Sequence, residues 1–246
     1  TLYRYADDFI VTGKDKEILE NEVKPAIKEF LSERGLTLSE EKTKITHIDE
    51  GFDFLGYNFK KFNGKLIVQP SEKGRQRLLD KVKSIVHKYR TIPQIALIRM
   101  LNPIIQGWSN YYKSCSCGKV KIKMDYLLYK KIRRWADRRH PNKGKTWVSR
   151  KYYHTLGKNH WRFGVWLKKN GEKMLFALKS VCDVPKTDHV LIVGEANPYD
   201  VQWKTYFDKR HTRNLLEHFN GQYAIRNLWE KQMRRCKVCG EPITPL

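Results

Sequence analysis

The sequence Leu2-Tyr3-Arg4-Tyr5-Ala6-Asp7-Asp8-Phe9-Ile10-Val11-Thr12 places two adjacent carboxylates between an apolar, aromatic run and a β-branched run. This pattern predicts a strand, a tight turn and a second strand, with the two acids at the tip of the hairpin. Two carboxylates held together repel each other unless a divalent cation lies between them or one of them is protonated, and Mg²⁺ prefers oxygen ligands. The pair therefore predicts half of a two-metal phosphoryl-transfer site, with a solvated Asp-Asp turn as the alternative.

Charge is divided unevenly along the 246 residues, whose net charge is +23. Residues 1–72 contain 11 Lys and Arg against 14 Asp and Glu, whereas residues 73–246 contain 38 against 12. The densest stretch, residues 113–162, has 16 basic and two acidic residues and includes Tyr126, Tyr129, Trp135, Trp147, Tyr152, Tyr153 and Trp161. Basic side chains displace phosphate counterions and aromatic rings stack on unpaired bases. The second part of the chain is therefore predicted to bind nucleic acid, with about half of these aromatic residues in the core.

Hydrophobic periodicity and turn residues predict an α+β fold. A helix is expected from Asp15 to Ser32, ended by Gly35 and bent at Pro25, followed by strands at residues 36–38 and 44–48. Residues 51–62 are apolar and aromatic, and Asn63-Gly64 predicts a hairpin turn after them. Further helices are expected at residues 75–89, 95–101, 103–112 and 124–138.

Composition also limits where the chain can act. No run approaches the roughly 18 apolar residues that a membrane span requires, and no charged and then apolar leader precedes Thr1. We therefore expect no membrane partner and no secretion. Because the chain begins without Met, just before the acidic pair, we expect it to be a piece of a longer protein.

Several motifs occur in a characteristic order. They are Tyr5-Ala6-Asp7-Asp8, residues 35–45, Phe52-Asp53-Phe54-Leu55-Gly56-Tyr57, Leu101-Asn102-Pro103, Gly107-Trp108, Asn110-Tyr111-Tyr112, residues 196–200 and Cys236-Lys237-Val238-Cys239-Gly240. In this order the chain resembles the group II intron-encoded reverse transcriptase and maturase family. The resemblance implies the C-terminal part of a right-hand polymerase palm at residues 1–70, a mainly helical thumb or maturase (X) domain at 71–167, a basic DNA-binding region at 168–224 and the start of an HNH endonuclease at 225–246.

The resemblance assigns roles in the palm residue by residue. Asp7 and Asp8 match the family's catalytic carboxylates, which hold two Mg²⁺ ions together with a third acid that is not in this sequence. Primer and nucleotide contacts are implied for Tyr5, Ala6, Lys42, Lys44, Phe54, Leu55 and Gly56, with solvated strand lysines as the alternative for Lys42 and Lys44. Lacking the third acid and the fingers, this segment by itself is expected not to polymerise DNA.

Nucleic-acid contacts are expected in two regions. The basic residues of the helix predict an RNA-binding face, and Trp135 lies beside it. The predicted RNA contacts are Lys130, Lys131, Arg133, Arg134, Trp135, Arg138 and Arg139, together with Arg150 and Lys151. The later region resembles the family's DNA-binding region in position, which implies DNA contacts from Lys204, Lys209, Arg210 and Arg213, with a solvated surface as the alternative.

The five cysteines are an odd number, which fits a reducing compartment. Cys236 and Cys239 have the spacing of half a structural Zn²⁺ site, and the resemblance implies that its second pair lies further along an HNH endonuclease. Completion of the site by Cys115 and Cys117 is the weaker alternative, and free thiols are the better expectation for that pair.

The expected function is therefore that of an RNA-directed DNA polymerase and splicing maturase in its full-length form. Its implied partners are group II intron RNA in a ribonucleoprotein, target DNA and dNTPs. A bacterial cytoplasmic or an organellar location is expected. The alternative is a non-catalytic RNA-binding maturase that keeps the palm as a scaffold. A retron-like reverse transcriptase is a weaker third possibility, because it leaves the long basic thumb unexplained.

Overall fold

The computed structural model describes residues 1–157, 159–169, 171–188, 190–218, 223–241 and 243. The chain divides into two compact units, residues 1–188 and residues 189–246. The first unit contains three small antiparallel sheets and a group of long helices, so the predicted α+β class is confirmed. In the part of the chain that the structure describes, no helix combines the length and the apolar character needed to cross a membrane.

The acidic motif forms the predicted hairpin. Strands β1 (Leu2–Tyr5) and β2 (Asp8–Val11) pair antiparallel, with Tyr5 opposite Asp8. This register leaves Ala6 and Asp7 as the two turn residues, and Ala6 has a positive φ of 50°. Two-residue turns with positive φ match the right-handed twist of paired strands. The hairpin therefore follows from local sequence.

A helical segment follows the hairpin. It consists of α1 (Lys16–Ile18), a π-helical turn (Leu19–Val23) and α2 (Lys24–Ser32). Pro25 lies in the first turn of α2, directly after the π-helical turn, and cannot donate a backbone hydrogen bond to that turn. A bend is predicted at Pro25, and the structure has a π-helical turn just before this residue. Gly35, with φ of 67°, follows the end of the helix as predicted.

The strands predicted at residues 36–38 and 44–48 are absent, since these residues lie in a loop with turns at residues 40–42 and 48–50. A strand needs a neighbouring backbone that fills its hydrogen bonds. Here the backbone bonds are turns, such as Thr43 N–H to Ser39 O at 3.0 Å, and a single contact from Lys61 N–H to Ile48 O, also 3.0 Å. The prediction of these two strands is therefore wrong, because alternation of side chains was insufficient to predict a sheet.

A three-stranded antiparallel sheet follows, formed by β3 (Phe52–Phe54), β4 (Tyr57–Phe62) and β5 (Lys65–Pro70). Leu55 and Gly56 make the first turn with φ of 49° and 81°, and Asn63 and Gly64 make the second with φ of 48° and 76°. Two consecutive positive φ values define the type I′ hairpin turn. The turn predicted at Asn63-Gly64 is confirmed.

Three long helices form the core of the first unit: α3 (Glu72–Lys88), α4 (Gln94–Tyr111) and α5 (Gly118–Arg139). Ser71 caps α3, because its Oγ accepts a hydrogen bond of 3.0 Å from the Gly74 N–H. The buried apolar side chains that pack together include Leu78, Val82, Val86, Leu97, Ile98, Leu101, Ile105, Met124, Leu128, Ile132 and Trp135. Each such side chain contributes roughly 1.5–3 kcal/mol through its burial.

Helix α4 is continuous, whereas the sequence predicted two helices that divide at Pro103. Proline cannot donate the hydrogen bond that the Arg99 carbonyl would accept. Arg99 and Pro103 lie on the exposed face of α4, while Leu101 and Ile105 are fully buried on the other. Water can solvate the carbonyl on the exposed face, and packing of the apolar face keeps the helix intact.

A third sheet, which the expectation of a mainly helical thumb did not include, follows α6 (Lys145–Tyr152). Its strands are β6 (Tyr153–Leu156), β7 (Asn159–Lys169) and β8 (Glu172–Ala177), in that order. The alternation of Trp161, Phe163 and Val165 was the overlooked signal. The sheet contacts α4, since Asn102 Nδ2 donates to Ala177 O at 3.2 Å. Residues 168–188 thus belong to the first compact unit.

The second unit contains a short 3₁₀ turn (Val201–Trp203), α7 (Lys204–His218) and α8 (Tyr223–Lys231). The Asn197-Pro198-Tyr199-Asp200 motif forms the turn before α7: the Asn197 side chain accepts from the Tyr199 N–H at 3.0 Å. Asp200 then accepts from the Gln202 N–H at 3.0 Å and begins the 3₁₀ turn.

Candidate functional site

The two adjacent acids lie at the exposed tip of the first hairpin. Asp7 is the second turn residue and Asp8 is the first residue of β2, and both are exposed. The turn is held in part by Arg4, whose Nε donates to the Ala6 carbonyl at 2.9 Å. Tyr5 and Ala6, predicted to line a primer, are also exposed beside the acids.

This arrangement leaves both carboxylates available to a cation. In the described residues neither Asp7 nor Asp8 forms an ion pair with a basic side chain. Nor does any group of three His, Cys, Asp or Glu side chains gather in a metal-binding arrangement within that part of the chain. The acids present therefore fit part of a hard-cation site and require further oxygen ligands.

The loop that carries Lys42 and Lys44 is held on α2 by Glu40. Its carboxylate pairs with Lys24 at 2.7 Å and with Lys28. Hydrogen bonds from Lys24 and then Lys28 lower the pKa of Glu40 to about 2. Lys42 and Lys44 themselves are exposed.

The turn predicted to grip a primer is bound to the end of α4. Leu55 O accepts from the Tyr111 hydroxyl at 2.6 Å, and Gly56 O accepts from the Tyr112 hydroxyl at 3.0 Å. The Tyr57 hydroxyl donates in return to the Tyr111 carbonyl at 2.6 Å. A Cβ on Gly56 would lie 3.1 Å from the Tyr112 hydroxyl, so the turn needs glycine both for its φ and for this approach.

An aromatic cluster surrounds this connection. The Tyr57 ring stacks on Tyr111 with centroids 5.2 Å apart, and Trp108 lies 4.7 Å from Tyr112. Burial is the main cause that raises the pKa of Tyr57 and of Tyr112 to about 12. Both hydroxyls therefore stay protonated as donors at neutral pH. The sequence analysis recognised Tyr111-Tyr112 as part of a motif, but the contact of these two residues with the Leu55-Gly56 turn is visible only in the structure.

The basic residues predicted on α5 divide into two groups. Lys130, Arg134 and Arg138 are exposed, and Lys131 is partly exposed. Arg133 instead bonds Asp137, Ser149 and the Lys145 carbonyl, at 2.9, 2.5 and 2.8 Å. It therefore joins α5 to α6 in the fold.

Arg139 also has a structural role. Its guanidinium donates to the Arg90 and Ile92 carbonyls at 3.4 and 2.5 Å and lies 4.7 Å from the Trp135 ring centroid. Trp135, predicted beside the RNA face, is only 2% exposed, and its Nε1 donates to the Tyr89 carbonyl at 2.9 Å. That placement corrects the expectation, because a ring buried in the core cannot stack on RNA.

The basic surface also includes residues from α3 and the loop after it, which sequence reasoning missed. Burial, then the charges of Arg138, Arg90, Lys83 and Lys131, lower the pKa of His87. A cleft of about 470 Å³ is lined in part by Arg90, Arg138 and Arg139. Cations separated in sequence thus gather on one surface.

Arg150 and Lys151 are exposed on α6, next to an exposed tryptophan. The ammonium groups of Lys151 and Lys143 lie 4.8 and 5.6 Å from the Trp147 ring centroid. An aromatic face bordered by cations suits contact with a nucleotide.

In the second unit, the predicted DNA contacts have different environments. Lys204 and Lys209 are exposed on α7. Arg210 is partly buried, and its guanidinium donates to the Leu191 carbonyl at 3.1 Å and to that of Val190. Arg213 is exposed on α7 and also interacts with another group of the protein.

All five cysteines are free thiols. The Cys236 carbonyl accepts from Gly240 N–H at 2.8 Å, and N–H groups of Cys239 and Val238 lower the pKa of Cys236. This turn suits a thiolate metal ligand. Cys115 and Cys117 are buried and hydrogen-bonded to each other, a bond that raises the pKa of Cys115 and lowers that of Cys117 to about 7.

Two families match consecutive parts of the chain. Residues 1–59 match the family described as reverse transcriptase (RNA-dependent DNA polymerase). Residues 75–153 match the family described as group II intron, maturase-specific domain. The first range contains the acidic hairpin and the second contains α4, α5 and most of α3.

Curated relatives agree with both matches. The group II intron-encoded protein LtrA of Lactococcus lactis subsp. cremoris is 28% identical over 213 residues, which cover 74% of this chain and 35% of LtrA. Maturase-like protein 1 of Euglena gracilis is 31% identical over 115 residues, covering 45% of this chain and 24% of that protein. The chain thus spans about a third of the length of LtrA. A reverse transcriptase segment followed by a group II intron maturase segment thus makes this chain similar to group II intron-encoded reverse transcriptase/maturases.

Proposed function

We propose that this chain holds folded group II intron RNA in a ribonucleoprotein, and that the whole protein copies this RNA into DNA at a target-site primer. The carrying observation is the α3/α5 basic surface. It comprises Lys83, Arg90 and Arg138 around His87, together with the exposed Lys130 and Arg134, which precede Arg138 at four-residue spacing on α5. Cations on such a surface bind phosphates and release their counterions. Phosphate contacts position RNA, so its shape supplies much of the recognition.

The hairpin supports the polymerase part of the proposal. Asp7 and Asp8 would hold Mg²⁺, with a third acid from outside this chain. When bound, the metal supplies activation of a hydroxyl nucleophile and stabilisation of charge on the leaving group. The chain's own residues would place the primer: Tyr5 and Ala6 next to the acids, and the Phe54-Leu55-Gly56 turn fixed by α4. Exposed Lys42 and Lys44 would contact the nucleotide.

Two further parts of the proposal concern the second unit. Exposed Lys204 and Lys209 would contact phosphates of the target DNA, with Arg213 on the same helix and Arg210 supporting it. Cys236 and Cys239 would hold Zn²⁺ together with two more ligands of a complete endonuclease.

A non-catalytic maturase is the alternative. The presence of both acids at an exposed turn favours the polymerase, because a scaffold does not need an unpaired carboxylate pair. A third acid on a neighbouring palm strand in the full-length protein would decide between them.

A salt titration tests the RNA part. Replacing Lys130, Arg134 and Arg138 by Gln removes three exposed charges, so we expect weaker intron RNA binding and a logarithmic salt slope reduced by about 2–3. Replacing Lys60, Lys61 and Lys65 by Gln is the matched control, since these lysines are exposed on the β4–β5 hairpin.

The control variant should retain both the affinity and the slope of the parent chain. An equal loss in the two triple variants would indicate that net charge alone, and no particular surface, drives binding. An unchanged slope in the α5 variant would contradict the proposed RNA surface.

A further inference from the structure

A cavity lies beside α5, and its lining contains none of the predicted site residues. It has a volume of about 400 Å³ and is bounded by α5, by β6 and β7, and by residues 178–180 after β8. This volume is in the range of roughly 300–1,000 Å³ that is usual for small-molecule sites. Its position next to Lys130 connects it to the α3/α5 basic surface.

The walls of the cavity are aromatic at its exposed edge. Tyr126 from α5 is 54% exposed and Trp161 from β7 is 58% exposed, and both line the cavity. Tyr153 lies further in, with its ring centroid 5.4 Å from that of Tyr129 and 6.2 Å from that of Trp161. Large aromatic faces that remain open to water are suited to stacking against a planar ligand.

The inner wall contains polar atoms without partners. Tyr153 is only 7% exposed, and its hydroxyl has no hydrogen-bond partner in the described residues. The same holds for Nε of Arg162, whose other nitrogens bind Asp183. Burying such atoms unpaired is unfavourable, so an entering group that hydrogen-bonds them would gain free energy.

Charges around the cavity favour a ligand that carries phosphate. The Lys130 ammonium lies 4.6 Å from the centroid of the Tyr126 ring. Asp125, the one acid among the described residues that line the cavity, accepts from the Val181 and Cys182 N–H groups, at 2.7 and 3.1 Å, and from the Ser180 hydroxyl. A planar, polar ring attached to an anionic backbone matches this set of groups.

We propose that this cavity binds an unpaired nucleobase of the RNA. The base would stack on Tyr126 and Trp161, its edge would bond the Tyr153 hydroxyl and Arg162 Nε, and its phosphate would contact Lys130. This inference rests on the proposed function, and it adds a site that recognises an extruded base to a surface that binds the backbone. The RNA feature recognised is then a bulge or loop nucleotide.

The experiment uses this chain and an RNA hairpin with one bulged 2-aminopurine, compared with the same hairpin that is abasic at the bulge. The parent chain is expected to bind the base-containing RNA about tenfold more tightly, which is about 1.4 kcal/mol, and to change the fluorescence of the 2-aminopurine. Trp161→Ala should abolish both effects, and Trp161→Phe should restore most of them.

Trp166→Ala is the matched control. Trp166 is a tryptophan of the same strand, is 52% exposed, and lies outside the cavity against His154, so its loss should preserve the discrimination between the two RNAs. Tyr153→Phe should reduce the discrimination without lowering the melting temperature, because it removes a buried hydroxyl that has no hydrogen-bond partner among the described residues.

Each other outcome overturns the proposal. A parent chain that binds both RNAs equally, with a normal salt slope, would refute the base site while leaving the proposed RNA function intact. Equal effects of Trp161→Ala and Trp166→Ala would show that both tryptophans contribute to general RNA binding and that neither recognises the base. A chain that bound neither RNA would overturn the proposed function together with this inference.

Discussion

At the scale of single residues, side chains of one type on one helix have different roles. Arg138 is exposed on α5, whereas the neighbouring Arg139 is tied to two backbone carbonyls and covers Trp135. Sequence spacing placed both on an RNA-binding face. The difference arises because the segment after α3 crosses next to Arg139 and supplies acceptors that no local pattern reveals.

Replacing Arg139 by Ala should therefore destabilise the fold. The variant loses hydrogen bonds from a charged donor and packing against Trp135, and we expect a cost of about 1–3 kcal/mol in the free energy of unfolding. Arg138→Ala should change stability by less than about 0.5 kcal/mol and weaken RNA binding instead. Urea unfolding and RNA titration of the two variants check this, and the opposite ranking would contradict these assignments.

Glu40 gives a prediction that depends on pH. Its pKa falls from 4.5 to about 2 in the folded chain, because Lys24 and Lys28 stabilise the carboxylate. The folded state thus binds this proton less readily than the unfolded state. The contribution is fully present above the unfolded pKa, and it is lost as pH falls through about 2.

Thermal unfolding at several pH values tests this effect. Glu40→Gln should be less stable than the parent chain at neutral pH, and the difference should shrink as the pH falls below 4.5. Glu41→Gln is a suitable control, because Glu41 is an exposed neighbour. A difference that stays constant down to pH 2 would disprove the role of the ion pairs.

At the scale of elements, the end of α4 connects the second sheet to the helical core. Tyr111 and Tyr112 bind the carbonyls of the Leu55-Gly56 turn, and Trp108 Nε1 donates to the Gly74 carbonyl at 3.0 Å. Gly74 is in close contact with Tyr112, because a Cβ at position 74 would lie 2.3 Å from the Tyr112 hydroxyl oxygen. The turn proposed to grip a primer is therefore positioned by residues of the maturase segment.

A double-mutant cycle tests this contact. Gly74→Ala should cost about 1–3 kcal/mol because the methyl group overlaps the Tyr112 hydroxyl. Tyr112→Phe alone should cost about 1 kcal/mol through the lost hydrogen bond to Gly56. The double variant should be more stable than the sum predicts, because removal of the hydroxyl makes room for the methyl group. Strict additivity would show that the two residues are not in contact.

At the scale of the whole molecule, the acidic hairpin is an incomplete site, whereas the basic surface is complete within the described residues. The described residues bring no third acid to Asp7 and Asp8, whereas the α3/α5 basic surface is formed within the chain itself. The binding of RNA can therefore be measured on this chain, and the proposed polymerisation is to be tested in the whole protein.

We expect this chain to show no primer extension with Mg²⁺ and dNTPs while it binds RNA. The full-length protein should extend the primer, and Asp7→Asn and Asp8→Asn in that protein should each reduce the rate by orders of magnitude, because the metals lose a ligand. Processive extension by the 246-residue chain would contradict this assignment.

The sequence by itself determined the local structures and the resemblance to group II intron-encoded proteins. The hairpin at Asp7-Asp8, the turn at Asn63-Gly64 and the helices of the core follow from side-chain periodicity and turn chemistry, which act between near neighbours. The exposed positions of Lys130, Arg134 and Arg138 follow from the apolar positions that alternate with them on α5.

Only the tertiary structure decided which residues act together. It kept α4 continuous through Pro103, left residues 36–48 without a strand partner, buried Trp135, and placed Tyr153 behind Tyr126 and Trp161 in one cavity. Each of these outcomes depends on atoms that are distant in sequence. Packing and hydrogen bonding between such segments carry free energies as large as local propensities, and they leave no periodic signal in the chain.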